Sequence, residues 1–168
     1  MEDRPLPVDR ETTATLRPGD HKAELRLWLR LLTCSTLIET GVRKRLRKSF
    51  DVTLPRFDLM AQLDKTPAGL TLGELSQRMM VSNGNITSIV EALVGQGMLD
   101  RKPSPQDRRA QVVSLTADGR RTFRQMAAAH EGWIAETFAG LNSAEQEQLM
   151  ALLGKAKMSA RRAFGEGR

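Results

Sequence analysis

Apolar residues recur along this chain mainly in three- and four-residue steps, the spacing of one face of an α-helix. From His21 to Lys48 the step is kept by Leu27, Leu31, Cys34, Ile38, Val42 and Leu46. Leu25, Trp28, Leu29 and Leu32 widen the stripe in its first half. A stripe this wide must bury two sides, for example against the chain's own core and against a second subunit. Asp51 to Thr53 breaks the pattern. Pro55 suits the first turn of a second helix, which carries Phe57, Met60 and Leu63 on its inner face. Pro67 and Gly69 mark a loop. Thr71 and Glu74 have the spacing of a capping box, opening a short helix with Leu72, Leu75 and Met79 on one face. Met80-Val81 make a turn. Ser82 then caps a fourth helix, whose buried side is Ile86, Ile89, Val90, Leu93 and Val94 and which Gly95 and Gly97 end.

Beyond that point the period changes. Met98 to Arg101 reads as a short strand. Ala110 to Leu115 reads as an alternating one, with Val113 and Leu115 on one face. Between them Lys102 to Arg109 is a long loop stiffened by Pro103 and Pro105. Thr116 caps a helix from Ala117 to about Phe138. Ser143 and Gln146 have capping-box spacing for a last helix, Ala144 to about Phe164, striped by Leu149, Leu152, Leu153, Ala156, Ala160 and Phe164. The expected fold is mainly α, with about six helices and one small antiparallel β-hairpin between the fourth and fifth. From Thr71 to Thr116 the order helix, turn, helix, strand, basic loop, strand is the trace of a winged helix-turn-helix.

Composition narrows the class of partner. The 168 residues carry a net charge of +6 and a sequence pI of about 10.1, a balance that favours a polyanion, nucleic acid above all. One Cys excludes an intramolecular disulfide. The longest apolar stretch, Leu25 to Leu37, is interrupted by Arg26 and Arg30, and the first twenty residues contain no apolar core segment. No membrane span and no signal peptide are expected, and the expected location is the cytoplasm. Residues 1–20, with Pro5, Pro7, Pro18 and Gly19 and no periodicity, read as a disordered arm.

The chemistry of the 71–116 stretch fits DNA. The major groove admits a helix whose first turns face base edges. The Ser82 helix offers Ser82, Asn83, Asn85, Thr87 and Ser88 there, and Gly84 would allow close backbone approach. Arg108 and Arg109 sit where a hairpin tip could carry them into a narrow minor groove. Asp107 would repel phosphate, so its expected role is to brace the wing by pairing with a cation such as Arg101 or Arg109. No nucleophile–base pair, Gly-rich phosphate loop or metal-ligand cluster is present, so an enzyme, a metal site and a cofactor are not expected.

Leu75, Val81-Ser82, Thr87, Leu93, Gly97-Met98-Leu99, Arg101, Asp107-Arg108-Arg109, Val113, Leu115-Thr116 and Gly119 closely resemble the signature of the MarR family of bacterial transcription regulators. The family's Asp-x-Arg wing motif and the Val-x-Leu-Thr strand after it match without a gap at Asp107, Arg109, Val113, Leu115 and Thr116. The resemblance implies one family-like domain over 21–168. Within it, 55–116 would be the DNA-binding lobe, and 21–50 with 117–165 the helices of a homodimer. It also implies a pseudo-palindromic operator on double-stranded DNA and repression relieved by a small anionic or aromatic effector. Two departures stand out. Ser76 occupies a position where the family often has Ala, and no Lys or Arg occurs from Asn83 to Val94. Backbone affinity must then come from Arg78, the wing and the rest of the lobe.

Residues for the effector are sought in the flanking helices. Trp28, Leu32, Phe57, Met60 and Trp133 could line an apolar pocket, with Arg43, Arg45 or Arg47 meeting an anionic end. The last turns of the first helix carry Arg43, Lys44, Arg45, Arg47 and Lys48, which either complement its dipole or form an anion site for a carboxylate or phosphate. Leu25 to Leu63 is similar to family members tied to aromatic-acid catabolism, some of which respond to acyl-CoA thioesters. Two rival readings are a winged-helix protein-interaction module without DNA binding and a redox-sensing repressor built on Cys34.

Overall fold

A computed structural model describes residues 22–104 and 110–165. The proposed arm, 1–20, and the wing residues Asp107, Arg108 and Arg109 lie outside the described residues. The elements are α1 (Lys22–Phe50), α2 (Leu54–Asp64), β1 (Leu70–Thr71), α3 (Leu72–Met79), α4 (Asn83–Gly95), β2 (Leu99–Pro103), β3 (Gln111–Leu115), α5 (Ala117–Thr137) and α6 (Ser143–Ala163). Among the described residues these are six helices and one antiparallel three-stranded sheet in the order β1-β3-β2. The mainly α winged helix-turn-helix expected from the pattern is the fold observed.

Two strand features differ from the sequence reading. β1 was not expected, because two residues are too few to show alternation. It exists only through pairing with β3, Leu70 opposite Val113 and Thr71 opposite Val112. β2 runs to Pro103 and not to Arg101, with Lys102 opposite Val112 and Pro103 opposite Gln111. Pro103 is tolerated because β2 is an edge strand, where a missing amide breaks no interior ladder. The Ser104 amide then donates to the Ala110 carbonyl (2.8 Å), closing the hairpin one pair further on.

The chain divides into two compact units, residues 1–130 and 131–168. In the first, the core draws on every helix present: Leu46, Leu59, Met60, Leu63, Leu75, Ile86, Val90, Leu93, Val113 and Met126 are fully buried. On α1 only Val42 and Leu46 of the long apolar stripe are buried; Leu25, Leu27, Trp28, Leu31, Cys34 and Leu37 remain exposed. Phe57 of α2 meets the rings of Phe123 (5.5 Å) and His130 (5.0 Å) of α5, and Arg120 reaches Asp64 (3.5 Å).

The second unit holds the end of α5 and α6. Gln146 donates to the carbonyls of Leu141 (2.9 Å) and Phe138 (3.4 Å), closing the turn between them. Here Asn142, not Ser143, caps α6. Its side chain accepts from the Glu145 amide (3.0 Å), and the Glu145 carboxylate accepts from the Asn142 amide (2.9 Å). Both spacings are legal capping boxes, and the carboxylate partner outbids an amide one because a charged acceptor makes the stronger bond. α6 buries no residue: Leu149, Met150, Leu152, Leu153 and Met158 are all exposed.

One close approach ties the wing to α5. Thr116 caps α5 by accepting from the Gly119 amide (2.9 Å), and its hydroxyl also lies 2.8 Å from the Gly97 carbonyl. The bend brings Gly119 against β2, where an added Cβ would stand 2.0 Å from the Met98 carbonyl oxygen. Replacing Gly119 with Ala forces these backbones apart. We expect a loss of about 1–3 kcal/mol in urea denaturation, the usual range for overpacking; an unchanged midpoint would refute the contact.

Candidate nucleic-acid interface

The presentation of α4 begins one helix earlier. Thr71 and Glu74 form a complete capping box. The Glu74 carboxylate accepts from the Thr71 amide (2.7 Å) and hydroxyl (2.8 Å), while the Glu74 amide donates to the Thr71 oxygen (3.2 Å). These bonds, the backbone one foremost, hold the Glu74 carboxyl below its ordinary pKa. Leu75 anchors α3 in the core. At the helix end Met80 takes a left-handed conformation (φ 54°) with its side chain 90% exposed. The Ser76 carbonyl accepts from the Val81 amide (3.2 Å), and the Ser76 hydroxyl donates to the Val81 carbonyl (2.6 Å). An Ala at this position could make only the first of these bonds, so Ser76 laces the turn twice.

Ser82 caps α4 through the Asn85 amide (3.4 Å). Ile86, Val90 and Leu93 are buried, which turns Ser82, Asn83, Gly84, Asn85, Ser88 and Glu91 outward. Two residues assigned to the buried side behave differently: Ile89 is half-buried and Val94 exposed. At 100° per residue they fall on opposite edges of the buried stripe. Thr87 is half-buried and spends its hydroxyl on the Asn83 carbonyl (2.9 Å). A Cβ at Gly84 would meet nothing within 4 Å, so only an approaching partner could require glycine there. Arg78 is exposed on α3 and donates to the Thr66 hydroxyl (3.1 Å).

In the wing, Asp100 pairs with Lys102 (3.0 Å), which holds the Asp100 carboxyl below its usual range. Arg101 is half-buried in β2, and its Nε is buried with no hydrogen-bond partner among the described residues. The acceptor expected from the sequence, Asp107, and the cations Arg108 and Arg109 lie outside the described residues.

Beside α4 the first unit opens into a cleft of about 880 Å³. Arg43, Lys44, Arg47 and Lys48 of α1 line it, with Val52 to Pro55, and with Val81, Asn85, Ser88 and Ile89. Arg43 pairs with Glu39, and Arg47 with Asp51 (3.2 Å). Thr53 makes no side-chain cap for α2, so the positive end of that helix is open to the cleft. Of the eight residues suggested for an effector, Arg43 and Arg47 line this cleft, and Trp133 belongs to the second unit. Phe57 and Met60 are core residues. Trp28 is exposed and Leu32 half-buried on α1, and Arg45 is exposed outside the lining. Arg47, Lys44 and Lys48 were legible as cations that either complement a helix end or form an anion site, but nothing in their spacing says that α4 shares a cleft with them. Cys34 is exposed on α1. Among the described residues no group of three or more His, Cys, Asp or Glu is placed to hold a metal ion, and no helix is long and apolar enough to cross a membrane.

A polar-faced α4 stacked behind α3, followed by a β-hairpin, defines a winged helix-turn-helix protein. The MarR family model matches residues 52–110. Over 85 residues the chain is 34% identical to an uncharacterized HTH-type transcriptional regulator, YkoM, of Bacillus subtilis; the match covers 51% of this chain and spans about half (55%) of YkoM. A MarR family transcriptional regulator from Silicibacter pomeroyi is 30% identical, with a TM-score of 0.72 over 86% of this chain and 99% of that one. A MarR variant from E. coli, solved in complex with operator DNA, shares the fold at 24% identity, with a TM-score of 0.70 over 82% of this chain and 99% of that one. The chain belongs to the MarR family of transcriptional regulators, which are not enzymes.

Two outcomes test the way α4 is mounted. Ser76→Ala removes one half-buried hydrogen bond and should cost about 1 kcal/mol in denaturation; a neutral result would mean that the Ser76 hydroxyl does not hold the turn. For Glu74 the folded-state pKa is lowered. The box therefore stabilises the fold above the ordinary glutamate range and stops doing so as pH falls through the lowered pKa. Wild type should exceed Glu74→Gln in stability at neutral pH and converge with it on acidification. A pH-independent gap would contradict the charged box.

Proposed function

We propose that this protein is a homodimeric operator-binding repressor whose DNA contacts come from α4 and the wing. The observation that carries the reading is the exposed polar start of α4. Ser82, Asn83, Asn85 and Ser88 are all exposed in the first turns of a helix whose Ile86, Val90 and Leu93 are locked in the core. Asn85 and Asn83 have the bidentate amide suited to adenine, and Ser88 can meet a base or a phosphate. Thr87, with its hydroxyl spent on its own helix, contributes packing or a methyl contact. Arg78 and the wing cations Arg108 and Arg109 supply charge. Asp107 braces the wing by accepting from Arg101, whose buried Nε needs an acceptor. The E. coli variant bound to operator DNA supports this use of the fold.

The pattern of burial supports a division of labour along the chain. Residues 55–116 are the DNA-binding lobe, and 21–50 with 117–165 are the dimerisation region. The apolar side chains that α1 and α6 leave exposed, among them Leu27, Trp28, Leu31, Leu152 and Leu153, are the surface a second copy covers. A paired assembly would set two α4 helices at a fixed spacing on a pseudo-palindrome. The effector is a small organic anion, such as an aromatic acid or its CoA thioester. Its seat is the Arg43–Lys48 cleft, whose apolar floor and cationic wall match both ends of such a molecule.

Gel-shift titration against the protein's own promoter region tests the DNA reading. Nanomolar binding that weakens steeply with salt is expected, and no binding to any fragment would favour a protein-interaction module instead. Arg109→Ala should weaken binding strongly, and unchanged affinity would remove the wing from the interface. Aromatic acids and their CoA esters should release the DNA and raise the melting temperature; silence across the whole panel would reject this effector class.

A further inference from the structure

The cleft beside α4 raises a question about charge. α4 contains no Lys or Arg, yet a helix seated in the major groove is flanked by phosphates on both sides. Four cations stand in the neighbouring cleft on the last turns of α1, where Arg43, Lys44, Arg47 and Lys48 share the lining with Asn85 and Ser88. They come from an element far away in sequence, so the fold alone brings them to the reading helix.

We propose that the Lys44–Lys48 wall of α1 is a phosphate-binding surface of the operator interface, supplying the backbone contacts that α4 lacks. The proposal rests on the DNA-binding reading above. Three observations support it. First, the cations are not equivalent. Arg43 and Arg47 have carboxylate partners in Glu39 and Asp51, whereas Lys44 and Lys48 make no ion pair among the described residues and are exposed. Second, Lys44 and Lys48 lie one turn apart, about 6 Å along the same face of α1, so both ammonium groups can follow one strand. Third, the same cleft is lined by Asn85 and Ser88, two of the residues proposed to meet bases. A duplex against those side chains passes the mouth of the cleft within reach of flexible lysines. The open positive end of α2, at Thr53, adds to the same field.

A regulatory consequence follows. An anion in the cleft would neutralise the same lysines that hold the operator, so effector and DNA would compete for charge, with no rearrangement of the lobes needed.

The test is the salt dependence of operator binding by the full chain. For Lys44→Ala/Lys48→Ala the slope of log K against log salt should fall by about 0.9 for each lysine in every protomer, and Lys44→Arg/Lys48→Arg should restore it. Both side chains are exposed, so melting temperatures should match wild type. Two results would overturn the proposal. One is an unchanged slope and affinity in the double alanine variant. The other is loss of effector release with the salt slope intact, which would make the wall a small-anion site only. Absence of DNA binding by the wild type is a separate result, which strikes the DNA-binding reading and not the placement of the wall.

Discussion

The interface hangs on one tight turn. α3 and α4 are short helices, of 8 and 13 residues, and neither is long enough to be stable without tertiary support. What fixes their angle is the segment from Ser76 to Ser82. Ser76 accepts and donates across it, Met80 takes the left-handed conformation, and Ser82 starts the next helix. A left-handed residue without glycine is costly, of the order of 1 kcal/mol. The double lacing by Ser76 and the anchoring of Leu75 and Ile86 in the core offset that cost. With the turn held, burying Ile86, Val90 and Leu93 leaves no freedom in which side chains of α4 meet solvent.

Polarity and charge are divided between elements. α4 carries hydrogen-bonding side chains without cations, which suits a surface that distinguishes partners by pattern. Cations sit on α1 and in the 102–109 region. In the proposed operator complex, long-range attraction and pattern reading would then come from different parts of the chain, and each could be altered without rebuilding the other. The same separation leaves the cationic wall open to small anions, with Arg43 paired to Glu39 and Arg47 to Asp51.

The apolar surface is unevenly satisfied. The unit formed by residues 1–130 has a closed core that draws on five helices and the sheet. In contrast, α6 buries nothing, and the first half of α1 keeps Leu25, Leu27, Trp28 and Leu31 in contact with water. Solvated leucine stripes at helical spacing cost roughly 25 cal/mol for each Å² left uncovered. In the proposed homodimer a second copy would cover these faces.

Much of the architecture was legible in the residues themselves. Helical periodicity, the Thr71–Glu74 box, the Ser82 cap and the Val113/Leu115 alternation are local signals, and each describes contacts within a few residues. They determined the helix-turn-helix, the hairpin and the outward face of α4. Resemblance at Asp107, Arg109 and Val113 to Thr116 carried the family. Features that depend on which distant segments meet were not legible. β1 exists only opposite β3. Gly119 owes its identity to the Met98 carbonyl, and Phe57 and Met60 went to the core, not to a pocket. Asn142 prevailed over Ser143 through one carboxylate. Above all, tertiary packing alone decided that Arg43, Lys44, Arg47 and Lys48 line one cleft with Asn85 and Ser88. Local spacing reports on neighbours along one helix, and the distance between α1 and α4 is set by the core packed between them.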